Sequence, residues 1–444
     1  MPFMIDGVPI IPGRNRAIKQ LLLALIISFM LLPFLQVNIL KMPMTPLVGV
    51  QDTLSKPAMT ILGFFDGRWQ ERRMKYAAEK AGFRPWLIRL KNQADYSLFN
   101  YTESGGVVIG REGCLYLKSY LNNYCGIEFQ GTRRIDYEVQ RLTMVSRELN
   151  KKNVSFILVL APGKATFEQE KIPSRYRKKA VTNYEYYARK LASSGIDLID
   201  LNRWFRQLKG SERYPLFPKN GVHWTSWGVA LAADTITRHI EKLRNIDMPE
   251  IDFNRVYLSD TMKYSDNDAG DLMNLFCLKG NDPMPYPEFS YNQAGKHRPD
   301  IVAIADSYWW GFITSGISRN IFGKTRYWFY NKDIYDDEQK LGTVAGTDIH
   351  AELEKQEVVI MLITEATWML FPFGFTDSFL KDYQHETGAD REMQIMIVMD
   401  NIRRDPKWYR AVAEKAEKNH VPAEEQLRKD AEYIIGLENN KKNP

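Results

Sequence analysis

Four short apolar runs, separated by helical patterns, constrain the fold of this chain more than any other feature. They lie at residues 154–161, 196–200, 301–305 and 357–364. Each run is too short for a helix, and the first is closed by a Pro-Gly pair, so we predict a β-strand at each. Strands alternating with helices imply right-handed crossovers. The sequence therefore predicts an α/β fold with a mainly parallel sheet and helices on both faces, which binds ligands beyond the carboxyl ends of its strands.

One of these strand ends carries a serine, and a histidine stands in a turn of its own upstream. The run 301–305 stops at Asp306 and Ser307, and His223 precedes Trp224 and Thr225 at the predicted start of a long helix. A serine with a histidine in reach is the minimum for acyl transfer through a serine ester. The alternatives are that Ser307 only caps a helix and that His223 is structural.

An uncharged apolar run at residues 20–40 predicts a membrane anchor. Its length roughly matches a bilayer core of about 30 Å. Arg14, Arg16 and Lys19 precede it and only Lys41 follows closely, so the positive-inside rule predicts a cytoplasmic N-terminus at 1–19 and an extracytoplasmic remainder. A cleaved signal peptide is the alternative, but the run is long and no A-x-A-like site follows it.

The rest of the chain divides into three predicted segments. Residues 41–60 contain three prolines and are expected to be a linker. Residues 61–395 hold the alternating pattern and are expected to form one domain, within which 83–93 is predicted to be extended. Residues 396–444 are expected to be a helical extension, a hairpin whose helices begin after Asp405 and near Pro422, because proline favours the first turn of a helix.

Composition narrows the classes of function. The net charge of +6 is mild and the basic runs are short, which favours a solvated surface over nucleic-acid binding. Ten tryptophans and 23 tyrosines suit sugar stacking as well as a large core. The three cysteines form no C-x-x-C pair and His223 has no second histidine at ligand spacing, so we expect neither a metal site nor a cofactor.

The order of several motifs resembles one family. Lys164 after Ala-Pro-Gly, the His-Trp pair at 223–224, the Asp306-Ser307 turn and the stretch 364–366 resemble SGNH-hydrolase-like proteins of the alginate O-acetylation type (AlgX/AlgJ type) across roughly residues 60–395. The resemblance implies a flavodoxin-like three-layer sandwich located outside the cytoplasm. It also implies transfer of acetyl groups to exopolysaccharide hydroxyls, with acetyl supplied by a polytopic membrane-bound O-acyltransferase.

The family's catalytic residues carry over unevenly. Its serine falls on Ser307 and its histidine on His223, but its triad acid, two residues before the histidine, is Gly221 here. The glycine of its Gly-Asp-Ser turn is Ala305. Losing the acid of a serine protease triad costs about 10⁴-fold in rate. Three alternatives follow: another carboxylate replaces the acid, His223 leans on a backbone carbonyl, or catalysis is weak or lost. For the first, Glu365, which also ends a strand, is the favoured substitute, and Asp306 is a second candidate.

Three more residues are expected at the substrate: Lys164, Trp224 and Trp309. The leading prediction is a membrane-anchored O-acetyltransferase that modifies a cell-surface or secreted polysaccharide through a serine acyl-enzyme. A carbohydrate acetylesterase, which gives the same ester to water, is one alternative. A weakened polysaccharide-binding scaffold is the other, and the glycine at position 221 is its main support.

Overall fold

The computed structural model describes residues 4–5, 8–9, 14–49, 54–280, 282–382 and 388–442. The chain forms two compact units. The first comprises residues 1–107 with 270–279, and the second comprises 108–269 with 280–444. The first unit therefore takes in residues 61–107, which the sequence analysis assigned to the catalytic domain.

The first unit is a small, mainly helical assembly. Its elements are β1 (Met4–Ile5), β2 (Val8–Pro9), α1 (Arg14–Leu35), α2 (Ile61–Phe65), α3 (Arg68–Glu79) and α4 (Arg84–Phe99). A π-helical turn, Gln36–Leu40, continues α1. By length and composition, Ala17–Leu35 within α1 is a candidate membrane span, which is the apolar run that the sequence analysis identified.

Helix α4 corrects one prediction. Residues 83–93 were expected to be extended, but they lie almost entirely in this helix. Pro85 occupies its first turn, where a missing N–H costs nothing and the fixed φ favours the helix. Proline in this segment thus marks a helix start rather than an extended stretch.

The second unit contains the main sheet. Its strands are β3 (Val107–Ile109), β4 (Leu115–Leu117), β5 (Ser155–Leu160), β6 (Asp197–Asp200), β7 (Glu250–Asp252), β8 (Val256–Ser259), β9 (Met284–Pro287), β10 (Ser290–Asn292), β11 (Ile301–Ala305), β12 (Thr325–Phe329), β13 (Asp333–Asp336), β14 (Gln339–Thr343) and β15 (Val358–Ile363). Its helices are α5 (Lys118–Tyr124), α6 (Thr132–Lys151), α7 (Lys164–Phe167), α8 (Asn183–Leu191), α9 (Leu201–Leu208), α10 (Ser226–Arg244), α11 (Asp268–Leu272, which continues into the first unit), α12 (Trp310–Thr314), α13 (Ile317–Ile321), α14 (Ile349–Leu353), α15 (Phe375–Phe379), α16 (Gly388–Arg404), α17 (Pro406–Lys418) and α18 (Ala423–Lys442).

Seven strands form the main sheet in the order β14-β13-β12-β11-β15-β5-β6. The five strands from β12 to β6 run parallel, and β13 and β14 extend the β12 edge as an antiparallel hairpin. The four runs predicted as strands are β5, β6, β11 and β15, which are neighbours in this sheet. The strands β12, β13 and β14 were not predicted.

The central strands are buried on both faces, as parallel strands covered by helices are. In β11, Val302 and Ile304 join the core that α6 and α8 cover, while Ile301 and Ala303 point to the other face and are equally buried. The fold is therefore α/β with a mixed, mainly parallel sheet. Its carboxyl edge brings Ser307, the end of β15 and the end of β5 into one region.

The C-terminal helices α16, α17 and α18 pack around a small core of their own. That core is formed by Ile395, Met399, Ile402, Val412, Leu427, Ala431 and Ile435. The boundary predicted at residue 395 falls inside α16, and the described tail comprises three helices, two of which begin near Asp405 and Pro422.

Candidate active site

Ser307 lies at the end of the central strand β11, at the start of a single 3₁₀ turn, Ser307–Trp309. Asp306, directly before it, is fully buried, and its carboxylate accepts hydrogen bonds from the Thr364 N–H (2.9 Å), the Thr364 hydroxyl (2.6 Å) and the Thr367 hydroxyl (2.7 Å). It also accepts from the Tyr308 N–H at 3.1 Å. Asp306 therefore joins the ends of β11 and β15 and fixes the turn that presents the serine.

His223 meets this serine. Its Nε2 lies 2.8 Å from the Ser307 hydroxyl oxygen. The imidazole packs against the Tyr308 ring, with centroids 4.8 Å apart. Two residues further on, Thr225 caps the long helix α10, which anchors the turn. The structure thus brings together the serine and the histidine singled out from the sequence, although they are separated by 84 positions in the chain.

The far nitrogen of this histidine contacts an aspartate that the sequence analysis missed. His223 Nδ1 forms a short hydrogen bond to Asp268 Oδ2. The other carboxylate oxygen of Asp268 accepts from the Val222 N–H (2.8 Å) and from the Ala269 N–H (2.7 Å). Two backbone N–H groups therefore hold Oδ1 of the carboxylate, while Oδ2 contacts the imidazole. Serine, histidine and aspartate form a continuous hydrogen-bonded chain in the geometry of a catalytic triad.

Gly221 explains why the acid stands elsewhere. A Cβ at this position would lie 2.5 Å from the Ser265 carbonyl oxygen and 2.9 Å from the Asp266 carbonyl oxygen. The segment that carries Asp268 therefore occupies the space where a side chain at position 221 would begin. The backbone that carries Asp268 can reach His223 only because position 221 has no Cβ, so the glycine at 221 and the aspartate at 268 depend on each other.

Glu365, which the sequence analysis favoured as the substitute acid, does not contact the imidazole. It is buried at the end of β15, and its carboxylate accepts from the Thr166 N–H at 3.1 Å and, through a short hydrogen bond, from the Thr166 hydroxyl. Burial raises the pKa of Glu365 to about 7, which the Thr166 bonds partly oppose. Glu365 therefore lies at the predicted edge of the sheet, because it follows β15. Its hydrogen bonds join the end of β15 to the turn after β5 and do not orient His223.

Lys164 is likewise at the predicted edge but is fully buried, which corrects its expected role in contacting substrate. Its ammonium donates to the carbonyls of Pro218 (2.7 Å), Lys219 (2.8 Å) and Gly221 (2.6 Å). Burial lowers the pKa of this lysine. The side chain therefore fastens the loop that leads into His223, which makes Lys164 a positioning residue.

Replacing Lys164 by methionine is expected to destabilise the protein by about 3 kcal/mol or more, because three buried carbonyls lose a charged donor. Urea unfolding of the full chain measures the loss. Lys355→Met is the matched control, since Lys355 makes only an exposed ion pair with Glu352 and such pairs contribute less than about 1 kcal/mol. Equal stability of the two variants would contradict this role for Lys164.

The two tryptophans expected at the substrate are mostly core residues. Trp309 is fully buried and stacks on Phe312, with ring centroids 4.6 Å apart, so it does not reach a ligand. Trp224 is 3% exposed and packs on Tyr308 at 5.0 Å behind the imidazole, but it also lines the cavity beside the triad. The exposed aromatic side chain near the triad is instead Tyr264.

A cavity of about 330 Å³ opens beside the triad. Ser307, His223 and Asp268 line one part of it, and Trp310 and Tyr264 are among its aromatic walls. Its volume is in the range of small-molecule sites. Its mainly apolar wall next to a serine hydroxyl can hold an acyl group or the apolar face of a sugar. Among the residues that the structure describes, no group of three or more His, Cys, Asp or Glu side chains could hold a metal ion.

Asp266 lines the same cavity and titrates abnormally. Burial raises its pKa to about 6, although the hydrogen bond that it accepts from the Tyr286 hydroxyl at 2.6 Å lowers the pKa in part. In the unfolded chain its pKa is about 3.9, so between about pH 4 and 6 the folded state binds the proton more strongly. Folding stability should therefore fall as the pH rises through this window, by about 3 kcal/mol in total.

This pH dependence can be measured by difference. We expect Asp266→Asn to remove that part of the slope, so that the free energy of unfolding of the wild type, measured relative to the variant, falls by about 3 kcal/mol between pH 4 and 7. Denaturant unfolding at a series of pH values measures it. Identical slopes for both proteins would contradict a raised pKa at Asp266.

Comparison with known proteins gives two matches in sequence. Residues 107–300 match the family model described as "SGNH hydrolase-like domain, acetyltransferase AlgX". A curated relative, the probable alginate O-acetylase AlgJ of Pseudomonas aeruginosa, is 28% identical over 240 residues, which cover 52% of this chain and 55% of the relative. The chain therefore spans about half the length of that relative. The resemblance drawn from the sequence is confirmed by these two matches.

Solved structures give more distant similarities. The O-acetyltransferase domain of Pseudomonas putida AlgJ superposes with a TM-score of 0.41 at 13% identity, covering 63% of this chain and 99% of that domain. Bacillus cereus PatB1 superposes with a TM-score of 0.37 at 14% identity, covering 59% of this chain and 96% of PatB1.

Proposed function

We propose that this chain, whose resemblance to the AlgX and AlgJ acetylation proteins is confirmed by the family-model match, is a membrane-anchored O-acetyltransferase. It would carry an acetyl group on Ser307 and pass it to a hydroxyl of an exopolysaccharide. The observation that carries the proposal is the position of His223, which bonds Ser307 on one side and Asp268 on the other. The name of the curated relative makes alginate the first acceptor to test.

The chemistry follows from this arrangement. His223 Nε2 takes the proton of the Ser307 hydroxyl as its oxygen attacks the donor carbonyl, and the imidazolium returns that proton to the leaving group. The acetyl-serine is then attacked by a sugar hydroxyl, whose proton passes to His223 and back to Ser307. Asp268 holds the imidazole in the tautomer that accepts at Nε2 and stabilises the imidazolium.

Localisation and partners belong to the same proposal. The candidate span Ala17–Leu35 would anchor the chain, and the basic residues before it favour an N-terminus in the cytoplasm. The catalytic unit would then act outside the cytoplasm. The resemblance to the AlgX/AlgJ type implies that a membrane-bound O-acyltransferase would supply the acetyl group.

The test uses the purified full chain, a soluble acetyl ester, and alginate oligosaccharide as acceptor. We expect acetylated oligosaccharide by mass spectrometry, and we expect Ser307→Ala to reduce its formation by at least about 10⁴-fold. Ser378→Ala, an exposed serine on α15, is the matched control and should keep full activity. Undiminished transfer by Ser307→Ala would overturn the proposal.

The same assay separates the alternatives. Ester hydrolysis that does not change on adding oligosaccharide, with no acetylated product, would indicate an acetylesterase. Oligosaccharide binding without either reaction would indicate a scaffold. Gly221 was the main support for a scaffold, and Asp268 at the imidazole removes that support.

A further inference from the structure

Within the first unit, the turn before α4 packs against the end of the candidate membrane span. The Phe83 N–H donates to Gln36 Oε1 at 3.3 Å. At Gly82 a Cβ would lie 2.1 Å from the Pro33 carbonyl oxygen, so the glycine permits direct contact of the two backbones. Pro33 lies inside the span Ala17–Leu35, close to its end. A helix that starts here starts at the edge of any bilayer that α1 crosses.

Helix α4 has one side that is occupied by its own unit. Arg89 donates to the carbonyls of Thr45 (2.9 Å) and Pro46 (2.7 Å). Asn92 donates to the Ser104 hydroxyl and the Met273 carbonyl. Gln93 Oε1 accepts from the N–H groups of residues 276 and 277. These bonds fix how the helix is rotated about its axis.

The other side of α4 is an exposed apolar stripe. Leu87, Leu90 and Leu98 are 43%, 59% and 73% exposed, and their spacing places them on one face with Ala94 between them. Trp86 stands beside this face near the start of the helix, 55% exposed. From Leu87 to Leu98 the stripe extends over roughly 17 Å of the helix. A continuous apolar strip of this kind marks an interaction surface.

We propose that this stripe lies on the phospholipid surface of the membrane in which α1 is anchored. The inference rests on the proposed anchoring, and the contact between the α3–α4 turn and Pro33 supplies the location. The composition also fits a lipid surface. Tryptophan favours the membrane interface, and the neighbouring helix α3 carries four basic and two acidic residues, which suits anionic headgroups. The chain would thus have a second, interfacial attachment beside its span.

Fluorescence quenching in reconstituted vesicles tests the proposal. The full chain is placed in phosphatidylethanolamine–phosphatidylglycerol vesicles whose acyl chains are brominated, which quench tryptophans that touch the bilayer. We expect Trp86→Phe to lower the quenched fraction about twofold, since Trp86 would be a main interfacial tryptophan. Trp408→Phe is the matched control, with 41% exposure on α17, and should leave the quenching unchanged.

A second variant tests the stripe without changing any tryptophan. Leu90→Glu should reduce quenching to the level of Trp86→Phe, because a carboxylate on the stripe resists contact with the acyl region. Quenching that is unaffected by both Trp86→Phe and Leu90→Glu would overturn the proposal and leave the stripe for a protein partner. Alkaline extraction of the wild type reports anchoring by α1 separately, and the acetyl-transfer assay reports the catalytic function separately.

Discussion

Replacing Asp268 by asparagine should reduce kcat for acetyl transfer by about 10⁴-fold with little change in KM, because an amide leaves the imidazole in the wrong tautomer. The asparagine oxygen could still accept from the Val222 N–H, so the variant should fold. The measurement is steady-state kinetics with the soluble acetyl ester, together with thermal unfolding. This is the largest effect expected from any residue that the sequence analysis did not identify.

Glu365→Gln is the companion variant. The carboxylate of Glu365 bonds Thr166 and not the imidazole. Its replacement should therefore lower stability more than the rate, and kcat should stay within about tenfold of the wild type. If Glu365→Gln lost as much rate as Asp268→Asn does, or if Asp268→Asn remained active, Asp268 would not be the acid that serves His223.

Restoring the family's acid at position 221 should damage the protein. Gly221→Asp has to place a Cβ 2.5 Å from the Ser265 carbonyl, and overpacking at a buried site costs typically 1–3 kcal/mol. The shift that relieves the clash must move the segment 265–268, which withdraws Asp268 from His223. We expect a loss of stability and a fall in kcat of at least about 100-fold.

A double variant makes this prediction sharper. In Gly221→Asp/Asp268→Gly the acid is moved back to the family's position while the chain around it is unchanged. We expect this protein to be no more active than Asp268→Gly alone. Recovery of wild-type kinetics by the double variant would show that the segment 265–268 adapts freely and that Gly221 is not required by its packing.

The sequence was most informative where chemistry and local pattern coincide. The apolar runs that became β5, β11 and β15 are almost wholly buried strands, so their composition reports their environment. The fourth run became β6, which lies at the edge of the sheet and is only partly buried. Ser307 and His223 could be identified because each stands at the start of a helical segment and because their order resembles a known family. Both arguments depend on short stretches of chain.

The acid could not be found in this way. Asp268 follows His223 by 45 positions, in a segment where the sequence predicted no strand, and its neighbour Asp266 has the same residue type. The signal that was available is indirect: a glycine at the acid's usual position predicts that another backbone approaches it closely. Only the three-dimensional arrangement shows that this backbone is the one carrying Asp268.

The edge hairpin β13–β14 and helix α4 were missed for a different reason. The strands of the hairpin are partly exposed and polar, so they lack the apolar composition that identified the central strands. Residues 83–93 were predicted to be extended, whereas hydrogen bonds that join Arg89, Asn92 and Gln93 to distant parts of the unit stabilise helix α4 there. Tertiary contacts decide such segments, and local propensity does not.

The course of the chain after Asp268 has a practical consequence for protein production. Two residues later the chain enters the N-terminal unit, where Asn92 and Gln93 hold residues 273, 276 and 277. A fragment that started at residue 108 would keep Ser307, His223 and Asp268. It would lack helix α4, whose Asn92 and Gln93 hold the segment that follows Asp268. A shorter protein that lacks the candidate span should therefore still include α4 if turnover is to be preserved.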